Sequence, residues 1–130
     1  MIRFVIQGET PAKKNSRIFL KNGRNIPSKR YQEWHKVAKN EIYSQAILQA
    51  KDSFSTIPIE KEVAINLTFY HGDLRRRDSD NDTSSVLDLL TDCGILKDDN
   101  WQIVRALRVV NHYEKGEARC IIEIEQYKGL

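Results

Sequence analysis

Apolar and polar positions alternate along three stretches of the chain, and alternation of this kind marks strands with one buried face. "IRFVIQ" sets Ile2, Phe4 and Ile6 against Arg3 and Gln7. "EVAINLTFY" is the clearest case, with Val63, Ile65, Leu67 and Phe69 facing one way and Ala64, Asn66, Thr68 and Tyr70 the other. "WQIVRALRVV" and "RCIIEIEQY" read as two further strands, joined by turn chemistry at Lys115-Gly116. Helical spacing appears twice. Ser28 is placed to cap a long helix running to about Asp52, with Tyr31, Trp34, Ala38, Ile42 and Ala46 near one face. A shorter helix is predicted from about Asp80 or Asp82 to Cys93, burying Val86, Leu87, Leu90 and Cys93, with Gly94 at its C′ position and Ile95 as the apolar contact beyond. Between the first strand and the long helix, residues of about 8–30 are rich in Gly, Pro, Asn and Lys/Arg, a basic loop or irregular hairpin turning at "KNGR". The order is β-α-β-α-β-β, which predicts one α/β (α+β) domain over residues 1–130, a mixed sheet with helices packed on it.

Composition narrows the class without deciding function. The chain has 130 residues, 40% hydrophobic and 30% charged, as in an ordinary soluble domain able to bury its own core. Cys93 and Cys120 lack metal-ligand spacing and read as buried thiols in a reducing cytoplasm. The N-terminal "MIRFVIQGET" turns polar too soon for a signal peptide or a membrane span, so a cytoplasmic protein with no membrane partner is expected. The net charge of +3 conceals an asymmetry: residues 1–51 hold eleven Lys/Arg and three acids, and residues 52–130 hold ten and fifteen. A basic half of this kind suits a polyanionic partner, although charge alone describes a solubilising surface equally well.

The chemistry concentrates in "RRRDSDNDTSS", Arg75 to Ser85. Between Asp73 and Asp99 every acid is an aspartate: 73, 78, 80, 82, 88, 92, 98 and 99. Short carboxylates suit oxygen coordination of Mg²⁺, which takes one or two of them, keeps several waters and completes its shell with phosphate. In extended chain Asp78 and Asp80 project to one side, and the turn before the next strand can return Asp98 or Asp99 to them. Structural readings compete. An aspartate at a helix N-terminus caps it and complements its dipole. The arginines can form surface ion pairs of little worth. "DSDND" begins like a calcium loop, but Thr83 stands where that loop needs glycine and Leu89 where it needs glutamate. His35, His71 and His112 show neither metal nor triad spacing, and no Gly-rich phosphate loop or nucleophile elbow is present.

The run "RRRDSDN…VLDLLTDCGILKDDNWQIV" resembles the RusA family of Holliday-junction resolvases. The matching positions are Arg75, Arg76, Arg77, Asp78, Asp80, Asn81, Asp88, Leu90, Gly94, Asp98 and Asp99, without a gap, and "IQGETPAKKNSR" resembles the family's first strand and following loop. The resemblance implies a homodimeric, Mg²⁺-dependent endonuclease that nicks two opposing strands of a four-way DNA junction, with Mn²⁺ as a substitute ion. It assigns catalysis and metal binding to Asp78, Asp80 and Asp99. Asp98 is the alternative metal ligand that only register separates from Asp99, and Asp88 is a supporting residue. Phosphate contacts are expected from Lys13, Lys14, Arg17, Arg24, Lys29, Arg30, Arg75, Arg76 and Arg77, giving affinity that falls steeply with salt.

One position departs from the family pattern. The family carries a lysine six residues after the first aspartate, and Ser84 stands there in this chain. Loss of such an electrostatic group costs about a hundred- to a thousandfold in rate. Two outcomes are consistent with the substitution. Another cation (Lys13, Lys14, Arg77 or Lys97) reaches the phosphate instead, or the chain is a weak or inactive branched-DNA-binding protein.

Overall fold

The computed structural model describes residues 1–13, 17–49 and 57–129, with backbone alone at Arg17. Its elements are β1 (Ile2–Gln7), β2 (Arg17–Phe19), β3 (Asn25–Pro27), α1 (Lys29–Gln49), β4 (Val63–His71), α2 (Ser79–Asp92), β5 (Val104–Tyr113) and β6 (Arg119–Gln126). The main sheet runs β1-β6-β4-β5, with β4 and β5 parallel and the other two pairings antiparallel, so it is mixed. The two helices pack on this sheet in an α+β domain, as the hydrophobic pattern predicts. The short strands β2 and β3 form a separate hairpin that closes around Gly23, which takes a positive φ of 83°.

Alternation translates directly into packing. Val63, Ile65, Leu67 and Phe69 of β4 are buried with Phe4, Ile6, Ile122 and Ile124 of the flanking strands. Each such fully buried aliphatic side chain contributes roughly 1.5–3 kcal/mol. Tyr31, Trp34, Ala38 and Ile42 of α1 complete that core with Val86, Leu89 and Leu90 of α2. Ser28 caps α1 as expected, its Oγ accepting the Tyr31 N–H at 3.2 Å. The far end of that prediction, residues 50–52, lies outside the described residues.

Two boundaries shift. β5 begins at Val104, because Trp101, Gln102 and Ile103 form a turn in which the Val104 N–H donates to the Asn100 carbonyl at 2.9 Å. Helix α2 begins at Ser79, earlier than predicted, and buries Asp82, Thr83 and Ser85 while Leu87 is only half-buried. The earlier start has consequences for every aspartate in the run.

One edge of the sheet is closed by side chains. Gln45 accepts from the Val5 N–H and donates to the Val5 carbonyl, both at 2.8 Å. Gln49 does the same for Arg3, at 2.8 and 2.7 Å, and Glu41 accepts from the Gln7 N–H at 3.2 Å. The match is geometric: four helical residues rise about 6.0 Å and two strand residues about 6.6 Å. Helix α1 thereby takes the place of another strand along β1. The opposite edge, β5, pairs with β4 alone among the described residues.

Candidate active site

The acidic run converges on the first turns of α2, but on different sides of it. Asp78 is the N-cap residue, with extended backbone (φ −91°, ψ 122°), yet its carboxylate makes no capping hydrogen bond. Asp80 lies one step inside the helix. The rule that residues two apart share a side holds for extended chain, whereas helical residues two apart point about 200° apart. Asp78 therefore lines a pocket with Arg30 and Arg76, and Asp80 lines a neighbouring one. Among the described residues, Asp78 pairs with Arg76, at 3.9 Å and almost fully exposed.

Asp80 shares its pocket with Asp99, the hydroxyl-bearing Ser79, Thr83 and Ser84, and an apolar wall of Leu87, Leu107 and Val109. The pocket joins two acidic pieces separated in sequence by most of α2 and the turn after it. Asp98 turns elsewhere, into a pocket with Glu60 and Lys97. Its carboxylate accepts the Asp99 N–H at 2.7 Å and the Asn100 side-chain amide at 3.1 Å, and these hydrogen bonds hold its pKa below the usual carboxylate range. Asp99 moves the other way: partial burial raises its pKa, aided by Asp98 and by the charge of Asp88. The geometry thus separates two neighbours that the sequence leaves equivalent. An all-oxygen set of two carboxylates and hydroxyls around an open pocket fits Mg²⁺, which keeps several waters of its own.

The basic residues divide as well. Arg24, Lys29, Arg30, Arg75 and Arg76 are exposed. Lys14 lies outside the described residues, as does the side chain of Arg17. Arg77 is only 16% exposed and is already engaged, with Nε 3.3 Å from Glu9 Oε2 and Nη1 2.9 Å from Asp73 Oδ1. Lys13 is brought onto α2 because its backbone N–H donates to Ser85 Oγ at 3.2 Å, while that hydroxyl donates to the Pro11 carbonyl at 2.7 Å. Its ammonium reaches Asp88, at 3.7 Å, one helical turn beyond Ser84. Lys97 pairs with Glu60 at 3.6 Å, in the pocket of Asp98 and away from Asp80.

Sequence reasoning missed a second constellation beneath these pockets. Among the described residues, one group of three metal-capable side chains has its ligand atoms within 4.8 Å of one another: Glu9, His71 and Asp82. Burial pushes the Asp82 carboxyl up to about 6, and its Oδ2 has no hydrogen-bond partner. For His71, burial opposes the charged imidazole, but hydrogen bonds to Asn111 and Glu9 outweigh it and raise the pKa. A signal for Asp82 existed in its spacing. Asp82, Val86, Leu89 and Cys93 fall on one helical stripe, and that stripe is the buried one. For Glu9 and His71 no local pattern announces the meeting, because they come from the ends of β1 and β4.

A family model described as Endodeoxyribonuclease RusA matches residues 8–125. A similar curated protein, the crossover junction endodeoxyribonuclease RusA of Aquifex aeolicus (strain VF5), is 27% identical over 117 residues, which cover 90% of this chain and 85% of that relative. No helix among the described residues is long and apolar enough to cross a membrane.

Proposed function

The chain belongs to the RusA family of endodeoxyribonucleases and is a nuclease of that family, and from this premise we propose that it resolves four-way DNA junctions by paired symmetric nicks, with Mg²⁺ or Mn²⁺ as cofactor. The observation that carries the proposal is the shared pocket of Asp80 and Asp99. Asp80 and Asp99 are the ligands of the catalytic ion. Asp78, at the neighbouring pocket and 3.9 Å from Arg76, would be the third carboxylate available to hold the ion. A divalent ion at this pair supplies activation of water and charge neutralisation at the scissile phosphate.

The chain's own residues supply the rest. Arg30, Arg75 and Arg76 hold phosphates on the flanking surface, a sequence-independent contact that positions DNA without reading it. Lys13 is the cation that compensates for Ser84, since its tether to Ser85 keeps the ammonium within one turn of that position. Cations placed in advance near a reacting phosphate stabilise the charge that develops there. Paired nicks on a two-fold junction call for two sites, which a C₂ homodimer supplies. The edge of β5, which pairs with β4 alone among the described residues and carries Tyr113 51% exposed, is the surface we assign to the second copy.

The test is incubation of a labelled four-way junction and a linear duplex with the wild type and Asp80→Asn, in Mg²⁺ or chelator. Symmetric nicks in the junction alone, lost with chelator and in the variant, are expected. Junction binding with no nick in either Mg²⁺ or Mn²⁺ would establish the second reading. In that reading neutral Ser84 leaves a branched-DNA-binding protein without useful turnover.

A further inference from the structure

The constellation of Glu9, His71 and Asp82 takes no part in the reaction proposed above, yet it is a tightly gathered polar cluster against α2. Glu9 follows β1, His71 ends β4, and Asp82 sits in the second turn of α2. Their ligand atoms lie within 4.8 Å of one another. Asp82 is 3% exposed, and its Oδ2 finds no hydrogen-bond partner. A buried carboxylate oxygen left unpaired costs several kcal/mol unless something positive or hydrogen-bonding reaches it.

We infer that Glu9, His71 and Asp82 form a second metal site, separate from Asp80 and Asp99, for a divalent ion of the Zn²⁺ class. One imidazole and two carboxylates suit Zn²⁺ better than Mg²⁺, which prefers an all-oxygen shell. Three protein ligands leave a fourth position for water, and His71 and Asp82 open onto a shared surface pocket through which an ion and water enter.

The surrounding hydrogen bonds are those that a metal site uses. Metal-binding histidines usually give their other ring N–H to a carbonyl or carboxylate, which fixes ring orientation. Here His71 Nε2 is 2.8 Å from Asn111 Oδ1, so Nδ1 is the nitrogen turned to the cluster. Asn111 is itself anchored by donating to Ser79 Oγ at 3.2 Å. Glu9 is oriented in the same manner, its Oε1 accepting the Gly72 N–H at 3.0 Å.

Two features argue against an ion, and both are accommodated. His71 Nδ1 already lies 3.0 Å from Glu9 Oε2, a contact that requires one proton between them. The ion takes that proton's place, and the proton leaves to solvent, as it must whenever imidazole becomes a ligand. Arg77 also touches Glu9, but its Nη1 holds Asp73 at 2.9 Å. Asp73 is also 3.9 Å from Arg75, so the arginines are shared with a carboxylate outside the cluster. Within the cluster, Glu9 and Asp82 carry two negative charges when ionised, which a divalent ion beside a neutral imidazole balances. Bound there, the ion ties the end of β1, the end of β4 and the start of α2 together beneath the catalytic face.

The experiment is Zn²⁺ titration calorimetry and thermal melting on the full chain carrying Asp80→Asn and Asp99→Asn, which removes the other carboxylate pair. A single Zn²⁺ per chain and a rise in melting temperature are expected. Both should be lost on adding His71→Gln, and Asn111→Ala should weaken binding about 10–100-fold. Asn111→Ala keeps the test decisive if His71→Gln fails to fold. No Zn²⁺ bound by the Asp80→Asn/Asp99→Asn protein, or affinity unchanged by Asn111→Ala, would overturn the site and leave an ion-pair network.

Discussion

Asp80 and Asp82 are two residues apart on one helix and live in different worlds. Asp80 is exposed and shares an open pocket with Asp99, and no cation among the described residues pairs with it. Asp82 is buried against Glu9 and His71, and that burial raises its pKa to about 6. The helical phase that begins at Ser79 makes the difference, since successive even positions there alternate between solvent and core. The lesson is that a carboxylate's role follows from its surroundings. A pair that opens onto solvent, as exposed Asp80 and half-buried Asp99 do, is available to a phosphate-bound ion, whereas a buried carboxylate is built into the fold and taxes it unless neutralised.

The largest effect that separates the two groups is on catalysis. Asp80→Asn and Asp99→Asn should each lower junction nicking by about a thousandfold or more, the scale for an essential electrostatic group. For Asp80→Asn, at an exposed position, stability should move by less than about 0.5 kcal/mol. Single-turnover cleavage beside urea unfolding reads both, and nicking that survives either substitution removes the pair from the mechanism.

Next in size is the cation that serves the exposed side. Lys13→Ala should reduce nicking roughly a hundredfold. Adding Ser84→Lys to that variant should recover most of the loss, while Lys97→Ala leaves the rate unchanged. Equal effects from Lys13→Ala and Lys97→Ala would dissolve the distinction between the two lysines.

Asp82 provides the converse test, through stability and pH. Its folded pKa lies above the unfolded value of 3.8, so the native state binds the extra proton. Stability from this group is fully present below about pH 3.8 and is lost as the pH rises through about 6. In chelator, Asp82→Asn should therefore stabilise the protein by on the order of 2–3 kcal/mol at pH 8, with the gain vanishing towards pH 4. Denaturant midpoints at the two pH values measure it. A variant less stable at pH 8 would mean that attraction to His71 and Arg77 outweighs burial.

The smallest effect distinguishes neighbouring arginines. Arg76→Ala should weaken junction and duplex binding alike and reduce the salt slope by about 1. Arg77→Ala should leave the slope unchanged and lower the melting temperature, because its guanidinium bridges Glu9 and Asp73. Filter binding at several salt concentrations, with melting curves, tells the two apart.

Much of this molecule is local in origin. The alternation of Val63 to Tyr70, the Ser28 cap and the apolar spacing of α2 each report a residue's face relative to its own element, and a short window of sequence suffices for that. The mixed sheet with its two helices followed, as did the family resemblance, which rests on contiguous blocks around one helix. The tertiary structure decided what lies opposite each face. Asp99 rather than Asp98 shares a pocket with Asp80, Arg77 is drawn to Glu9 across 68 positions, and Gln45 and Gln49 close the edge of β1. Such pairings depend on chain closure over long separations, so no periodicity encodes them. Charge compounds the difficulty: the nine letters from Arg75 to Thr83 look alike as a charged surface, but the burial that turns Asp82 and Arg77 inward exists only once β1, β4 and α2 have packed.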